Sequence, residues 1–273
     1  MEINPSVGSG FLDVNGTSFY YEVTGTGEPL LLIHGFNLDT RLWEDQVEEF
    51  SQKYMVIRFD IRGLGRTPAT EIPFTLYDDT RAVLKGLEVE QAHVVGLSFG
   101  GTVAVEFALV YPEMVKSLTL VSSALMGHPR TDLRLLDMER FNEICQKGTR
   151  EEALEMDIQM YFDGPGSPVN KANGKARERY QMMTEHAFSL PEFGKGLTVL
   201  SPPPIERLEE IKVPTLVIAG DRDYPDFLQI ADVLTERIHG ARKVAIKGSA
   251  HLPPMDQPEV FNRLVLQFLE LIS

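Results

Sequence analysis

Residues 94–101 read VVGLSFGG, and they place one serine, Ser98, between Gly96 and Gly100. The residues before it predict a short buried strand, and FGGTVAVEFALVY after it predicts a helix without an internal breaker. In a sharp strand–turn–helix, flanking glycines let strand and helix approach closely while the serine hydroxyl projects from the strand end. The free N–H groups that begin the helix favour negative charge at the same place. The stretch therefore predicts a nucleophilic serine, and the alternative is that Ser98 only caps the helix.

Composition limits the classes of partner. The 273 residues are 43% hydrophobic, with 26 Lys and Arg against 40 Asp and Glu, a formal net charge of −14. An acidic chain is a poor partner for nucleic acid or an anionic membrane, so we expect neither. The single cysteine, Cys145, excludes an internal disulfide, and the N-terminus lacks a signal-peptide pattern. No stretch approaches 18 apolar residues, so we expect a cytoplasmic protein with no membrane insertion.

Around this stretch the chain alternates between strand and helix patterns. Asn15-Gly16 predicts an opening hairpin, because this pair readily takes the positive φ angles of a type I′ turn. Apolar runs then predict strands at 30–34, 54–60, 92–95, 117–122, 214–221 and 241–246, and amphipathic runs predict helices at 40–52, 75–89, 226–238 and from Pro258. Strands that are apolar on both faces predict an α/β fold, a mainly parallel sheet flanked by helices. Reactive groups should then gather at the carboxyl ends of the strands.

One long segment interrupts this alternation. Residues 124–204 carry helical patterns at 132–146, 150–162 and 173–188, without a strand-like run between them. We name this segment the lid, because an insertion that follows a strand end should cover the catalytic edge. The sequence thus predicts one core, formed by 1–123 and 205–273, with a helical lid inserted in it. The alternative is an independent helical domain.

A serine nucleophile needs a histidine base, and six histidines are available. His93 and His239 fall at the amino ends of predicted strands and are expected at the surface. His128 and His186 fall in the lid, where a polar surface position is the simpler expectation. His251 follows the strand at 241–246 in a loop at the carboxyl edge, which makes it the candidate base.

His34 ends a strand just before Gly35-Phe36, where the chain can bend toward the substrate. We interpret this turn as part of an oxyanion hole with the backbone N–H groups of Phe36 and Phe99 as donors. A buried core position is the alternative for the His34 ring.

Three carboxylates follow the strand at 214–221, namely Asp221, Asp223 and Asp226. Asp221 is still directed by the exit of the strand, whereas Asp223, the third residue past Gly220, can turn toward the His251 loop. Asp226 is expected to cap the following helix. Asp223 is therefore the candidate acid that orients His251.

The order Ser98, Asp223, His251 is typical of one superfamily. The chain resembles the α/β-hydrolase fold superfamily in HGF (34–36), DIRGLGRT (60–67), GLSFGG (96–101), GDRD (220–223) and AHLPPMDQPE (250–259). Within it the chain is similar to the esterase, enol-lactonase and perhydrolase group, which implies a serine hydrolase for small carboxylic esters or lactones that forms an acyl-enzyme and needs no cofactor. Haloalkane dehalogenases and epoxide hydrolases resemble it too, but they carry aspartate in place of Ser98. The alternatives are a ligand receptor with slow catalytic turnover and a C–C bond hydrolase, both on the same fold.

The lid and the strand ends supply the candidate pocket. We expect it to be lined by His34, Leu125, Met126, Met160, Tyr161, Phe162, Phe188 and Leu252, although each could instead be lid core. The acidic charge favours neutral acyl groups. Gly63 and Gly65 lack the third glycine of a dinucleotide site, and no metal-binding or Walker pattern is present, so no cofactor or metal is expected. The sequence gives no indication of whether the protein is a monomer or an oligomer.

Overall fold

One eight-stranded sheet organises the protein, and the computed structural model describes residues 8–167 and 174–272 of it. The strands are β1 (Gly8–Val14), β2 (Thr17–Thr24), β3 (Glu28–Ile33), β4 (Tyr54–Phe59), β5 (Ala92–Leu97), β6 (Val115–Val121), β7 (Thr215–Gly220) and β8 (Arg242–Ile246). Their order across the sheet is β1-β2-β4-β3-β5-β6-β7-β8. β1, β2 and β4 pair antiparallel, and every pairing from β4 to β8 is parallel. The predicted α/β fold with a mainly parallel sheet is confirmed, and the carboxyl ends of β3 to β8 share one edge.

Nine α-helices are found in the described residues. They are α1 (Glu44–Phe50), α2 (Leu76–Gly86), α3 (Phe99–Val110), α4 (Asp132–Lys147), α5 (Arg150–Ile158), α6 (Gly174–Ala187), α7 (Pro225–Arg237), α8 (Pro253–Asp256) and α9 (Pro258–Ile272). No helix in this part of the chain is long and apolar enough to cross a membrane.

Helices cover both faces of the sheet, and β3 shows why the strands are apolar throughout. Leu31 and Ile33 pack in a cluster that includes side chains of α2, α3 and α7, whereas Leu30 and Leu32 pack in a second cluster with α1 and α9. All four side chains are fully buried. Because successive residues of a strand point to opposite faces, burial on both faces removes the usual alternation of polar and apolar residues.

Local differences from the expected elements have local causes. The helix expected at 40–52 opens with a 3-10 turn, Thr40–Trp43, where the Asp39 carboxylate accepts from the Arg41 amide, and α1 then runs from Glu44 to Phe50. The helix α8 before Pro258 was not expected. His93 was expected at the surface, but it is buried and hydrogen-bonds Ser117 Oγ (2.8 Å) and Glu28 (3.1 Å).

The chain between β6 and β7 carries α4, α5 and α6 and adds no strand to the sheet within its described residues. A π-helix, Gln159–Asp163, continues α5. The start of the third expected helix, at residue 173, lies outside the described residues. After α6 the chain runs past the loop before α2, where Thr198 N donates to Phe74 O (2.8 Å). The lid boundaries at 124 and 204 stay a prediction.

Candidate active site

Ser98 connects β5 to α3 in an unusual backbone conformation, with φ 54° and ψ −113°. Positive φ is uncommon for a residue with a side chain and persists only where surrounding contacts enforce it. Here Ser98 N donates to Val121 O (2.9 Å), and Ser98 O accepts from Ala124 N (3.0 Å). The Ser98 side chain makes no capping hydrogen bond to α3, so the structure does not support the capping alternative.

The glycines beside Ser98 are required by backbone contacts. A Cβ atom at Gly96 would lie less than 3.0 Å from the carbonyl oxygen of Gly100, and one at Gly100 would lie equally close to the carbonyl oxygens of Ile33 and His34. The start of α3 therefore packs directly on the ends of β5 and β3. Any larger residue would push the helix away from the sheet, together with the turn that presents Ser98.

His251 and Asp223 form a buried pair at the same edge of the sheet. Asp223 follows β7 and His251 follows β8, and His251 Nδ1 lies 2.7 Å from Asp223 Oδ2. The other carboxylate oxygen of Asp223 accepts from the Tyr224 amide (2.7 Å). The two side chains are nearly inaccessible to solvent. A carboxylate that accepts from Nδ1 keeps the proton there and leaves Nε2 as the basic nitrogen.

The other two carboxylates of this loop have different partners. Asp221 accepts from the Gly248 amide (2.6 Å) and ties the β7 loop to the β8 loop. Asp226 accepts from Thr131 Oγ1 (2.9 Å) and Arg134 Nη1 (2.7 Å), which both belong to the start of α4. The expectation that Asp226 caps α7 is wrong, because Tyr224 occupies the N-cap position and no side chain caps that helix.

The two residues expected to supply oxyanion donors follow neighbouring strands. Phe36 lies three residues past the end of β3, and Phe99 is the first residue of α3, where an amide has no acceptor within its own helix. Their rings meet edge to face at 5.8 Å, and Phe193 completes the group at 5.3 Å from Phe36 and 5.5 Å from Phe99. We call these three rings the phenyl cluster. Sequence reasoning missed Phe193, since nothing in its local pattern links it to residues 36 and 99.

His34 supports this region from inside the core. Its side chain is fully buried, with Nδ1 donating to Gly35 O (2.8 Å) and Nε2 accepting from the Ile61 amide (2.9 Å). Both ring nitrogens are therefore used to hold the loops after β3 and β4 together. This burial favours the alternative of a core position for the His34 ring, and its role as a pocket residue stays a prediction.

Of the other expected pocket residues, Tyr161 comes closest to the catalytic pair, with its ring 5.3 Å from the His251 ring. Burial raises the pKa of Tyr161, while the nearby Arg134 guanidinium opposes that rise. Leu252 follows His251 directly but is buried among residues of α8 and α9. Leu125 and Met160 are also buried, in the cluster that covers the α3 side of the sheet.

Three expected pocket residues lie in other surroundings. Phe162 is buried against Tyr180 of α6 at 5.7 Å and packs within the lid helices, Phe188 packs against Phe141 with tilted rings at 6.0 Å, and the Met126 side chain is exposed. Phe227, which the sequence did not indicate as a pocket residue, lies beside the catalytic pair, with its ring only 4.2 Å from that of His251. Its position in an amphipathic helix gave no signal beyond ordinary packing.

Comparisons with known proteins agree with this architecture. A family model described as the alpha/beta hydrolase fold matches residues 28–258. The chain is 30% identical over 254 residues to the putative carbamate hydrolase RutD of Azorhizobium caulinodans, which covers 91% of this chain and 94% of that protein. It is also 30% identical over 258 residues to the rhodomycin D methylesterase DauP of Streptomyces sp. (strain C5), with 83% and 86% covered.

Among solved structures, a hydrolase from Pseudomonas aeruginosa PA01 superposes with a TM-score of 0.79 at 27% identity, covering 96% of this chain and 98% of that one. The family match spans most of the chain and includes Ser98, Asp223 and His251. The sheet order, the strained turn after β5 and this match lead to one conclusion: the chain belongs to the alpha/beta hydrolase fold family.

Proposed function

We propose that this protein is a serine hydrolase that cleaves small carboxylic esters or lactones through an acyl-enzyme intermediate. The observation that carries the proposal is the strained turn at Ser98, on the same sheet edge as the 2.7 Å pair of Asp223 and His251. The parallel run from β5 to β8 supports it, because parallel strands end at one edge. The relatives support the same reaction class, since one is a methylesterase and another a putative carbamate hydrolase.

In the proposed reaction, Ser98 Oγ attacks the carbonyl carbon of the ester while His251 Nε2 accepts the hydroxyl proton. The amides of Phe36 and Phe99 donate to the oxyanion that forms. The intermediate collapses, and His251 returns the proton to the departing alkoxide. Water then attacks the acyl-enzyme with His251 as base, the bond between the acyl carbon and Ser98 Oγ breaks, the carboxylic acid leaves, and His251 returns the proton to Ser98 Oγ. Asp223 keeps His251 in the productive tautomer throughout.

Residues 124–204 act in this proposal as a lid over the catalytic edge, and the phenyl cluster forms an apolar wall beside the oxyanion donors. Small neutral acyl groups fit such a wall better than charged ones, since charged groups lose hydration without a partner. The single cysteine supports a cytoplasmic setting.

The direct test is covalent labelling of the nucleophile. A fluorophosphonate probe should label the protein at one residue, Ser98, and Ser98→Ala should abolish both labelling and ester turnover. Ser122→Ala is the matched control, because Ser122 is a buried serine that follows the neighbouring strand β6. Label on another residue, or full turnover by Ser98→Ala, would contradict the proposal.

A substrate panel separates the reaction classes. It should contain short and long acyl esters, lactones, a carbamate ester and a vinylogous diketone. Steady-state turnover of esters or lactones is expected. A single slow cycle would instead indicate a ligand receptor, and turnover of the diketone alone would indicate a C–C bond hydrolase.

A further inference from the structure

We propose that Arg134, in the first turn of α4, is a positioning residue for His251: it holds the ring of Phe227, which packs against the imidazole. The inference rests on the proposed function, in which His251 is the base. Arg134 itself need not touch the substrate, since it acts through Phe227.

The His251 ring needs more than its hydrogen bond to Asp223. That bond holds Nδ1, but the imidazole can still tilt about it, and a tilt moves Nε2 away from the serine hydroxyl. Phe227 packs on the imidazole at 4.2 Å with an interplanar angle of 41°, and Tyr161 packs on it at 5.3 Å with an angle of 50°. These two rings therefore set the plane of the base.

Arg134 contacts the nearer of these rings, that of Phe227, and the residue beside it in the chain. Its guanidinium carbon lies 4.1 Å from the centre of the Phe227 ring, which is a cation–π contact. Its positive charge also lies close enough to the Tyr161 hydroxyl to oppose the rise in the pKa of that phenol. Its Nη1 donates to Asp226 at 2.7 Å, which anchors it to the residue next to Phe227. One mostly buried side chain thus holds the ring that lies nearer to the imidazole.

The helix that carries Arg134 contacts the core through polar groups as well as through the apolar side chains of Met138 and Phe141. Thr131 Oγ1 donates to Asp226 (2.9 Å), and Asp137, the buried residue of α4, accepts from Tyr224 Oη (2.9 Å). Leu133, Leu135 and Leu136 are exposed to solvent. The polar contacts converge on residues 224–227, directly after Asp223, so the docking of α4 and the arrangement around His251 depend on the same groups.

A lysine at this position provides the discriminating variant. Its ammonium group can replace the ion pair with Asp226, but a point charge cannot reproduce the planar contact of a guanidinium with an aromatic face. Arg134→Lys should therefore keep α4 docked while releasing the Phe227 ring. A purely structural tie between lid and core would be restored by lysine, whereas a positioning role would not.

The experiment measures kcat, KM and Tm for Arg134→Lys beside Arg140→Lys, a control on the same helix with an exposed side chain. We expect Arg134→Lys to lower kcat about 10-fold, because a misplacement of about 1 Å can cost about 10²-fold and the tilt of the His251 ring should displace Nε2 by less than that. KM should change less than about twofold, Tm should stay near the wild-type value, and Ser98 labelling by the phosphonate should slow in parallel. Arg140→Lys should match the wild type. Wild-type kcat in Arg134→Lys overturns the proposal.

A second pair of variants tests the route of the effect. Phe227→Leu removes the ring that Arg134 covers and leaves the Arg134–Asp226 pair in place, so it should also lower kcat. If Arg134 acts through Phe227, the kcat of the double variant should be no lower than the kcat of the less active of the two single variants. Losses that multiply overturn the proposal even where Arg134→Lys lowers Tm. A wild-type protein that turns over no ester and leaves Ser98 unlabelled instead refutes the proposed function, so the two failures are distinguishable.

Discussion

The backbone of Ser98 is strained, and contacts with neighbouring residues hold it in that conformation. A non-glycine residue in such a region costs of order 1–3 kcal/mol, and here it is held by the hydrogen bonds to Val121 and Ala124. The close contacts of Gly96 and Gly100 leave the helix no room to relax away from the strand. These contacts therefore hold the Ser98 hydroxyl at the carboxyl end of β5.

The choice of acid is tested at the same scale. Asp223→Asn should lower kcat by roughly 10² or more, at least about 2.7 kcal/mol in barrier. An asparagine at 223 can donate to Nδ1 and would hold His251 in the wrong tautomer, an effect known to be larger still in serine proteases. The measurement is kcat on a short acyl ester, with thermal melts to show that the variant is folded.

Asp221→Asn is the matched control for this experiment. Its carboxylate accepts from Gly248 and does not reach His251, so the variant should keep most of the wild-type kcat provided that it stays folded. A near-wild-type Asp223→Asn beside an inactive Asp221→Asn would show that the acid is the other residue of the loop.

Helix α3 buries an acidic side chain, which costs free energy on folding when that side chain is charged. Gly100 to Leu109 are all buried, as expected for the central helix behind the serine, and one of them is Glu106. Burial raises the pKa of Glu106 from 4.5 to about 7, with no other cause. Folding therefore favours the protonated carboxyl, because a lone charge in this position would lose its hydration without compensation.

This burial predicts a pH-dependent stability. The folded pKa of Glu106 lies above its ordinary value, so the folded state binds more protons between about pH 4.5 and 7, and stability falls as pH rises through that window. Urea unfolding gives the free energy of unfolding of Glu106→Gln and of the wild type at pH 5 and pH 8. The difference in favour of Glu106→Gln should be roughly 3 kcal/mol larger at pH 8 than at pH 5. Exposed Glu113→Gln is the control. Equal pH dependence in wild type and Glu106→Gln would refute the burial argument.

On the scale of the whole molecule, charge should select substrates. The net charge is −14, and three of the six lid arginines are paired with carboxylates: Arg134 with Asp226 (2.7 Å), Arg177 with Glu155 (2.7 Å) and Arg179 with Asp45. A substrate carboxylate would therefore meet a negative field without a free cation among these three.

We accordingly expect a neutral ester to have a higher kcat/KM than its carboxylate-bearing analogue of equal length. Added salt should raise kcat/KM for the anionic analogue, because it screens repulsion beyond a Debye length of about 10 Å at 0.1 M. The neutral ester serves as the control and should respond little. A preference for the anionic substrate at low salt would contradict the prediction.

Features that depend on residues adjacent in the chain were determined by the sequence itself. Local backbone preferences and burial determine the turn at Ser98, the hairpin at Asn15-Gly16 and the strand periodicity. The order of Ser98, Asp223 and His251 is read directly from the chain. The fold that these features predicted is confirmed. Only the tertiary structure decided which side chains surround His251 and that His34 faces the interior. Phe227 and Arg134 are separated by almost a hundred positions, and Phe193 meets Phe36 across an even longer interval. Such contacts depend on how each helix is rotated against the sheet, which is set by packing of the whole core and not by any local pattern.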